Sequence, residues 1–130
     1  MMPKQKYRNK KCEFQGHVFD SALEMRRWIV LKDAERRGEI TNLQRQVEYV
    51  LIPDQYRTEI VHLKTKDKYV EKLIERRVSY YADFVYRKGD LTVVEDTKGL
   101  RLADYKIKRK LMLFQRGIRI REVEKATEGI

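Results

Sequence analysis

The segment LTVVEDTK, residues 91–98, sets an acid, Asp96, two positions before a base, Lys98. Side chains at i and i+2 of a strand share a face, so Asp96 and Lys98 point together above Val94, while Glu95 faces away and is given no catalytic role. A second acid, Asp83, sits in YYADFVY. With Lys88-Gly89 as a two-residue turn, the two segments form a hairpin in which Arg87 faces Asp90 and Asp83 faces Val94. Asp83 is then the diagonal neighbour of Asp96, roughly 7–8 Å away between backbones. Two carboxylates at that reach can share one divalent cation, provided the loop keeps an even register. Mg²⁺ or Mn²⁺ held by such oxygens lowers the pKa of bound water and neutralises the charge of a phosphodiester under attack. A lysine beside it can orient the water and stabilise the transition state.

The same residues also read as a surface Asp96–Lys98 ion pair, which contributes about 0–1 kcal/mol. Context favours the cation. Asp83 lies among aromatic and β-branched residues, where an unpaired carboxylate is costly.

Six segments must position these groups. In FDSALEMRRWIVLKDAERRG, Ser21 with Glu24 fits a capping box and Gly38 supplies a stop, predicting a helix over about 21–37. Glu24 shares a helical face with Trp28 and Leu31, so it either completes the cap or looks inward. LQRQVEYVLIP alternates, with Leu43, Arg45, Val47, Tyr49 and Leu51 on one face, and reads as a strand ended by Pro53. VSYYADFVY and LTVVEDTK are the hairpin strands. DYKIKRKLMLFQRG reads as a second helix capped by Asp104, with an apolar stripe of Ile107, Leu111 and Phe114, and IRIREVE as a last strand. Residues 54–77 leave a hairpin, an extended approach or a helical turn open. The expectation is an α/β (α+β) domain over residues 19–130, in the order α-β-β-β-α-β, preceded by a basic flexible arm over 1–18.

The chain has 130 residues with 30 Lys and Arg against 20 Asp and Glu, a net charge of +10. Such a field concentrates polyanions. Residues 98–121 hold nine basic side chains and a single acid, Asp104; Arg101, Lys106, Lys108, Arg109 and Lys110 are candidate phosphate contacts, against the alternative of a solvated helix face. One cysteine, Cys12, and two separated histidines, His17 and His62, assemble neither a disulfide nor a zinc site. No apolar run has membrane-spanning length. A cytoplasmic protein with no membrane partner is expected.

Taken together, FDSALEMRRW, LQRQVEYVLIP, YYADFVY, VVEDTKG and DYKIKRKLMLF resemble the PD-(D/E)xK nuclease superfamily, and within it small phage and prophage endonuclease-like proteins akin to Holliday-junction resolvases. The likeness spans about residues 19–123. It implies a restriction-endonuclease-like core, a mixed sheet flanked by helices, and a Mg²⁺- or Mn²⁺-dependent endodeoxyribonuclease. By the same resemblance Asp83, Asp96 and the Thr97 carbonyl are metal ligands, Lys98 is the catalytic lysine, and Glu24 is the helix-borne acid. Ala82 stands where the motif has proline. DNA is the implied partner, in phage recombination, repair or processing; a homodimer and a phage recombination or packaging partner stay open. So do two rival readings, a nucleic-acid-binding module without turnover and a subunit that cuts only with a partner.

Overall fold

The computed structural model describes residues 10–98 and 101–130. A short hairpin, β1 (Cys12–Phe14) and β2 (His17–Phe19), precedes helix α1 (Ala22–Arg36). Residues 12–18 of the expected arm are thus paired into a hairpin, and residues 1–9 of it lie outside the described residues. The chain continues as β3 (Thr41–Ile52), β4 (Gln55–His62), β5 (Asp67–Glu75), β6 (Val78–Lys88), β7 (Leu91–Thr97), α2 (Ala103–Arg116) and β8 (Arg121–Val123). The described residues form a mixed α+β fold with two helices.

The main sheet has the order β3-β6-β7-β8, antiparallel except for the parallel pair β7–β8. A parallel neighbour needs a crossover of a dozen or more residues, and α2 supplies it. The unresolved choice over residues 54–77 falls to a hairpin: among the described residues β4 and β5 pair only with each other, with Tyr56 across from Leu73 and Ile60 across from Tyr69. All four of these side chains are exposed.

The sheet buries a cluster on each side. Phe19, Trp28, Leu31, Ala34, Ile40, Phe84 and Tyr86 form one with α1. Leu51, Tyr80, Ala82, Val85, Val94, Tyr105, Met112 and Ile120 form the other with α2. Ser21 Oγ accepts from Glu24 N at 3.1 Å, so α1 begins on the expected cap. The expected cap and stripe of α2 need correction. The helix starts after Leu102 with no side-chain cap. It buries Tyr105 and Met112, Leu111 is only half-buried, and Ile107 and Phe114 face outward at 59% and 88% exposure. The helix is apolar on two sides, and the shorter stripe that meets β6 and β8 won.

The polar centre of the α1 side is Arg27, fully buried and bidentate on Glu95 at 2.8 Å through Nε and Nη2. Its Nη1 also donates to the carbonyls of Ala126 and Glu128, so the C-terminal residues are fastened to the core. Glu95 faces away from the Asp96 side, as expected, and accepts from the Tyr86 hydroxyl as well. Breaking such a pair from one side leaves an uncompensated buried charge, costing about 3–5 kcal/mol. Glu95→Ala is expected to lower the urea unfolding free energy by about that amount. A loss within the range of ordinary surface substitutions would remove the pair from its organising role.

Candidate active site

The β6–β7 hairpin closes with Lys88 across from Leu91, and its turn is Gly89-Asp90. Gly89 takes φ +61° while Asp90 keeps a negative φ, the pattern of a turn that needs glycine at its first central position. The expected Lys88-Gly89 turn would have demanded the positive φ of lysine instead. The register is therefore displaced by two residues. Val85 faces Val94 and Phe84 faces Glu95, and the same register carried one step further sets Asp83 directly across from Asp96 rather than diagonal to it. Val94 packs on the α2 side, while Ala82 and Phe84 pack in opposite clusters, so β6 changes face at Asp83 itself; its carboxylate stays beside Asp96 through its bonds to Thr97.

A second feature departs from simple alternation. Gln46 adopts φ +51° within β3, although the pairs on either side, Arg45–Phe84 and Val47–Ala82, stay in register. Leu43 packs in the α1-side cluster, whereas Val47, Tyr49 and Leu51 pack on the α2 side. The five residues expected on one face are thus divided between two, and the change of face falls at Gln46. Its amide is delivered to the acids: Nε2 donates to Glu24 Oε1 at 3.0 Å and to Asp83 Oδ1 at 3.2 Å.

The three acids are nearly sealed, with Glu24 3% exposed, Asp83 8% and Asp96 1%. Asp83 Oδ2 accepts from both the backbone N–H and the hydroxyl of Thr97, each at 2.8 Å. Asp96 Oδ2 accepts from the Tyr80 hydroxyl at 2.6 Å. Burial and the neighbouring acid Asp96 push the Tyr80 hydroxyl far up, so it stays a donor at any ordinary pH. Asp96 Oδ1 is buried and, among the described residues, has no hydrogen-bond partner; it pairs with Lys98 Nζ at 3.5 Å. Burial and the charge of Asp83 raise the Asp96 carboxyl above the usual range, against the pull of Lys98. Burial, with Asp83 second, lifts Glu24 from 4.5 to about 7. Arg45, stacked 4.0 Å from the Phe19 ring, approaches Glu24 at 3.5 Å.

The fold thus gathers Glu24, Asp83, Asp96, Thr97 and Lys98. Among the described residues no three His, Cys, Asp or Glu side chains stand together as a ready metal cage; Glu24 and Asp83 meet through the Gln46 amide. Gln46, Tyr80 and the Thr97 side chain had no place in the sequence reading. Tyr80 carried a signal, two positions before Ala82 on one strand face, but the positive φ of Gln46 carried none.

The basic residues divide. Lys106 and Lys110 are exposed and Lys108 is half-buried. Arg101 and Arg109 are drawn to Glu122, at 2.7 and 3.1 Å, beside Tyr105, which donates to the same carboxylate. A cleft of about 580 Å³ runs along this edge, its basic lining made by Arg109, Lys110, Arg119 and Arg121. It adjoins the acids through Tyr105 and does not contain them.

A family model described as "Protein of unknown function (DUF1064)" matches residues 4–127. The chain belongs to that family. No curated protein matches it, and no solved structure does.

The raised Glu24 sets a pH dependence. A carboxyl that holds its proton more tightly when folded favours the folded state at low pH, and that advantage disappears as pH rises through the folded value. Between pH 4.5 and about 7 the cation-free protein should lose on the order of 2–3 kcal/mol through Glu24. Urea midpoints across this range check it, and Glu24→Gln should flatten the slope. An unchanged slope in that variant would remove Glu24 as its source.

Proposed function

We propose that this chain is a metal-dependent endodeoxyribonuclease, with Asp83, Asp96, Lys98 and Glu24 at its centre and Mg²⁺ or Mn²⁺ as cofactor. In this reading α1, β3, β6, β7, α2 and β8 are a restriction-endonuclease-like core, with β1–β2 and β4–β5 as additions. The observation that carries the reading is Asp96 Oδ1, buried beside Asp83 and, among the described residues, met only by Lys98 Nζ at 3.5 Å, beyond a good hydrogen bond. Buried polar atoms are almost always satisfied, and a cation would satisfy this one. The donors at hand are all oxygen, which suits a hard cation and not zinc.

Asp83, Asp96 and the Thr97 carbonyl would hold the cation, with Glu24 beside them. When bound, it supplies a water of lowered pKa and neutralises negative charge on the phosphoryl oxygens. The chain's own residues do the rest. Tyr80 and Thr97 fix the two aspartates through one oxygen each, so the cation would take the other two, Asp83 Oδ1 in place of its Gln46 contact and Asp96 Oδ1 beside Lys98. Lys98, 37% exposed at the rim, is placed to orient the attacking water and to stabilise the developing oxyanion.

Substrate contact falls to Lys106, Lys108 and Lys110 on α2 and to the arginines around Glu122, Arg101 and Arg109. Contacts of this kind bind the phosphate backbone without reading bases, so recognition is structure-selective or non-specific. A place in phage DNA recombination, repair or processing rests on the superfamily resemblance alone.

Labelled linear, nicked and four-way DNAs incubated with Mg²⁺ or with EDTA test the reading. Cleavage should require Mg²⁺, and Asp83→Asn or Lys98→Ala should each slow it by about 10²-fold or more. Salt-sensitive binding with no cleavage of any substrate would replace the nuclease by a binding module.

A further inference from the structure

Gln46 is the one residue of the site whose backbone departs from its element. A left-handed φ of +51° is costly for a residue with a side chain, and such conformations persist where the surrounding structure demands them. Here the departure inserts no residue, since the pairs Arg45–Phe84 and Val47–Ala82 remain in register. Its visible result is that one amide spans Glu24 and Asp83. Simple alternation would have sent that side chain to the face opposite Arg45, yet both residues reach Glu24.

The chemistry of the amide separates it from other ways of neutralising two acids. A lysine or arginine at this position would be a permanent countercharge. A carboxamide carries a donor at one end and an acceptor at the other, and a half-turn about its last bond exchanges them. With no cation between Glu24 and Asp83, the two carboxylates dictate that Nε2 points at them. With a cation there, the N–H₂ end is repelled and the oxygen is attracted. We infer that Gln46 is an additional ligand of the cation: its amide bridges Glu24 and Asp83 in the cation-free protein and turns Oε1 to the metal when one binds. This inference rests on the nuclease reading for the presence of a cation, but not on DNA cleavage.

Mn²⁺ binding to the full chain at pH 8, followed by calorimetry and by the loss of the free-ion paramagnetic resonance signal, tests it without turnover. Gln46→Gly keeps the backbone conformation at no steric cost and removes the amide. It should weaken Mn²⁺ binding about tenfold or more. Gln46→Glu offers an oxygen ligand but no donor, so it should bind Mn²⁺ at least as tightly as the unaltered protein while melting lower in EDTA. Gln46→Asn, which also tolerates a left-handed φ but is too short to span both acids, replaces the glycine variant if that one does not fold. Binding by Gln46→Gly or Gln46→Asn as tight as that of the unaltered chain would overturn the inference and leave the nuclease reading standing. Gln46→Glu binding more weakly than Gln46→Gly would also overturn it, reducing the amide to a donor. Failure of the unaltered protein to bind Mn²⁺ would bring down both.

Discussion

Taking a carboxylate out of water is expensive unless its charge and its lone pairs are met, and this small domain does so with Glu24, Asp83, Glu95 and Asp96. The four are handled in two ways. Glu95 has a guanidinium fork laid flat against it and a tyrosine hydroxyl besides. It needs nothing more and serves as a structural tie. The other three share a neutral amide, a tyrosine, a threonine and the rim cations Arg45 and Lys98. Their compensation is partial: burial raises the Glu24 and Asp96 carboxyls, and among the described residues Asp96 Oδ1 meets only Lys98 Nζ, at 3.5 Å. A cluster of buried, incompletely matched acids is what separates a site from a scaffold.

The sheet makes both arrangements possible at once. Consecutive residues of β7 alternate between its faces, so Glu95 goes to Arg27 on α1 while Val94 and Asp96 go to the α2 side. Strand β3 does not keep one face, and its change at Gln46 brings the amide to the place where Glu24, from the first turn of α1, meets Asp83. Helix α2 closes the other flank through Tyr105, whose ring lies 5.6 Å from Lys98 Nζ. The acids therefore sit where α1, the hairpin and α2 converge, with the basic edge of α2 and β8 alongside.

Much of this was legible in local sequence. The i, i+2 relation of Asp96 and Lys98 needed only the period of a strand; helix period set Glu24 on the face of Trp28 and Leu31 but left open whether it completed the cap or looked inward. The even parity of the hairpin survived although the turn was placed one residue early, because glycine belongs at the first central position of this turn and not the second. Helix α2 shows the limit of pattern reading. Ile107, Leu111 and Phe114 make the more obvious stripe, yet Tyr105 and Met112 are buried, since the hydroxyl of Tyr105 reaches Glu122 and its ring packs near Tyr80.

By itself, then, the sequence determined which side chains can do chemistry together along one element: Asp96 with Lys98, Glu24 in line with Trp28 and Leu31, Glu95 turned away. Periodicity is a local property, and local spacing suffices for it. Only the tertiary structure decided that Asp83 comes beside Asp96 one step past the last β6–β7 pair, that Gln46 joins Glu24 to Asp83, and that the Arg27 guanidinium satisfies Glu95. Those relations join residues 13 to 68 positions apart, from Asp83 and Asp96 to Arg27 and Glu95. They depend on register, on one left-handed backbone angle and on which face of each helix the sheet accepts, and none of these is written in the spacing of any single segment.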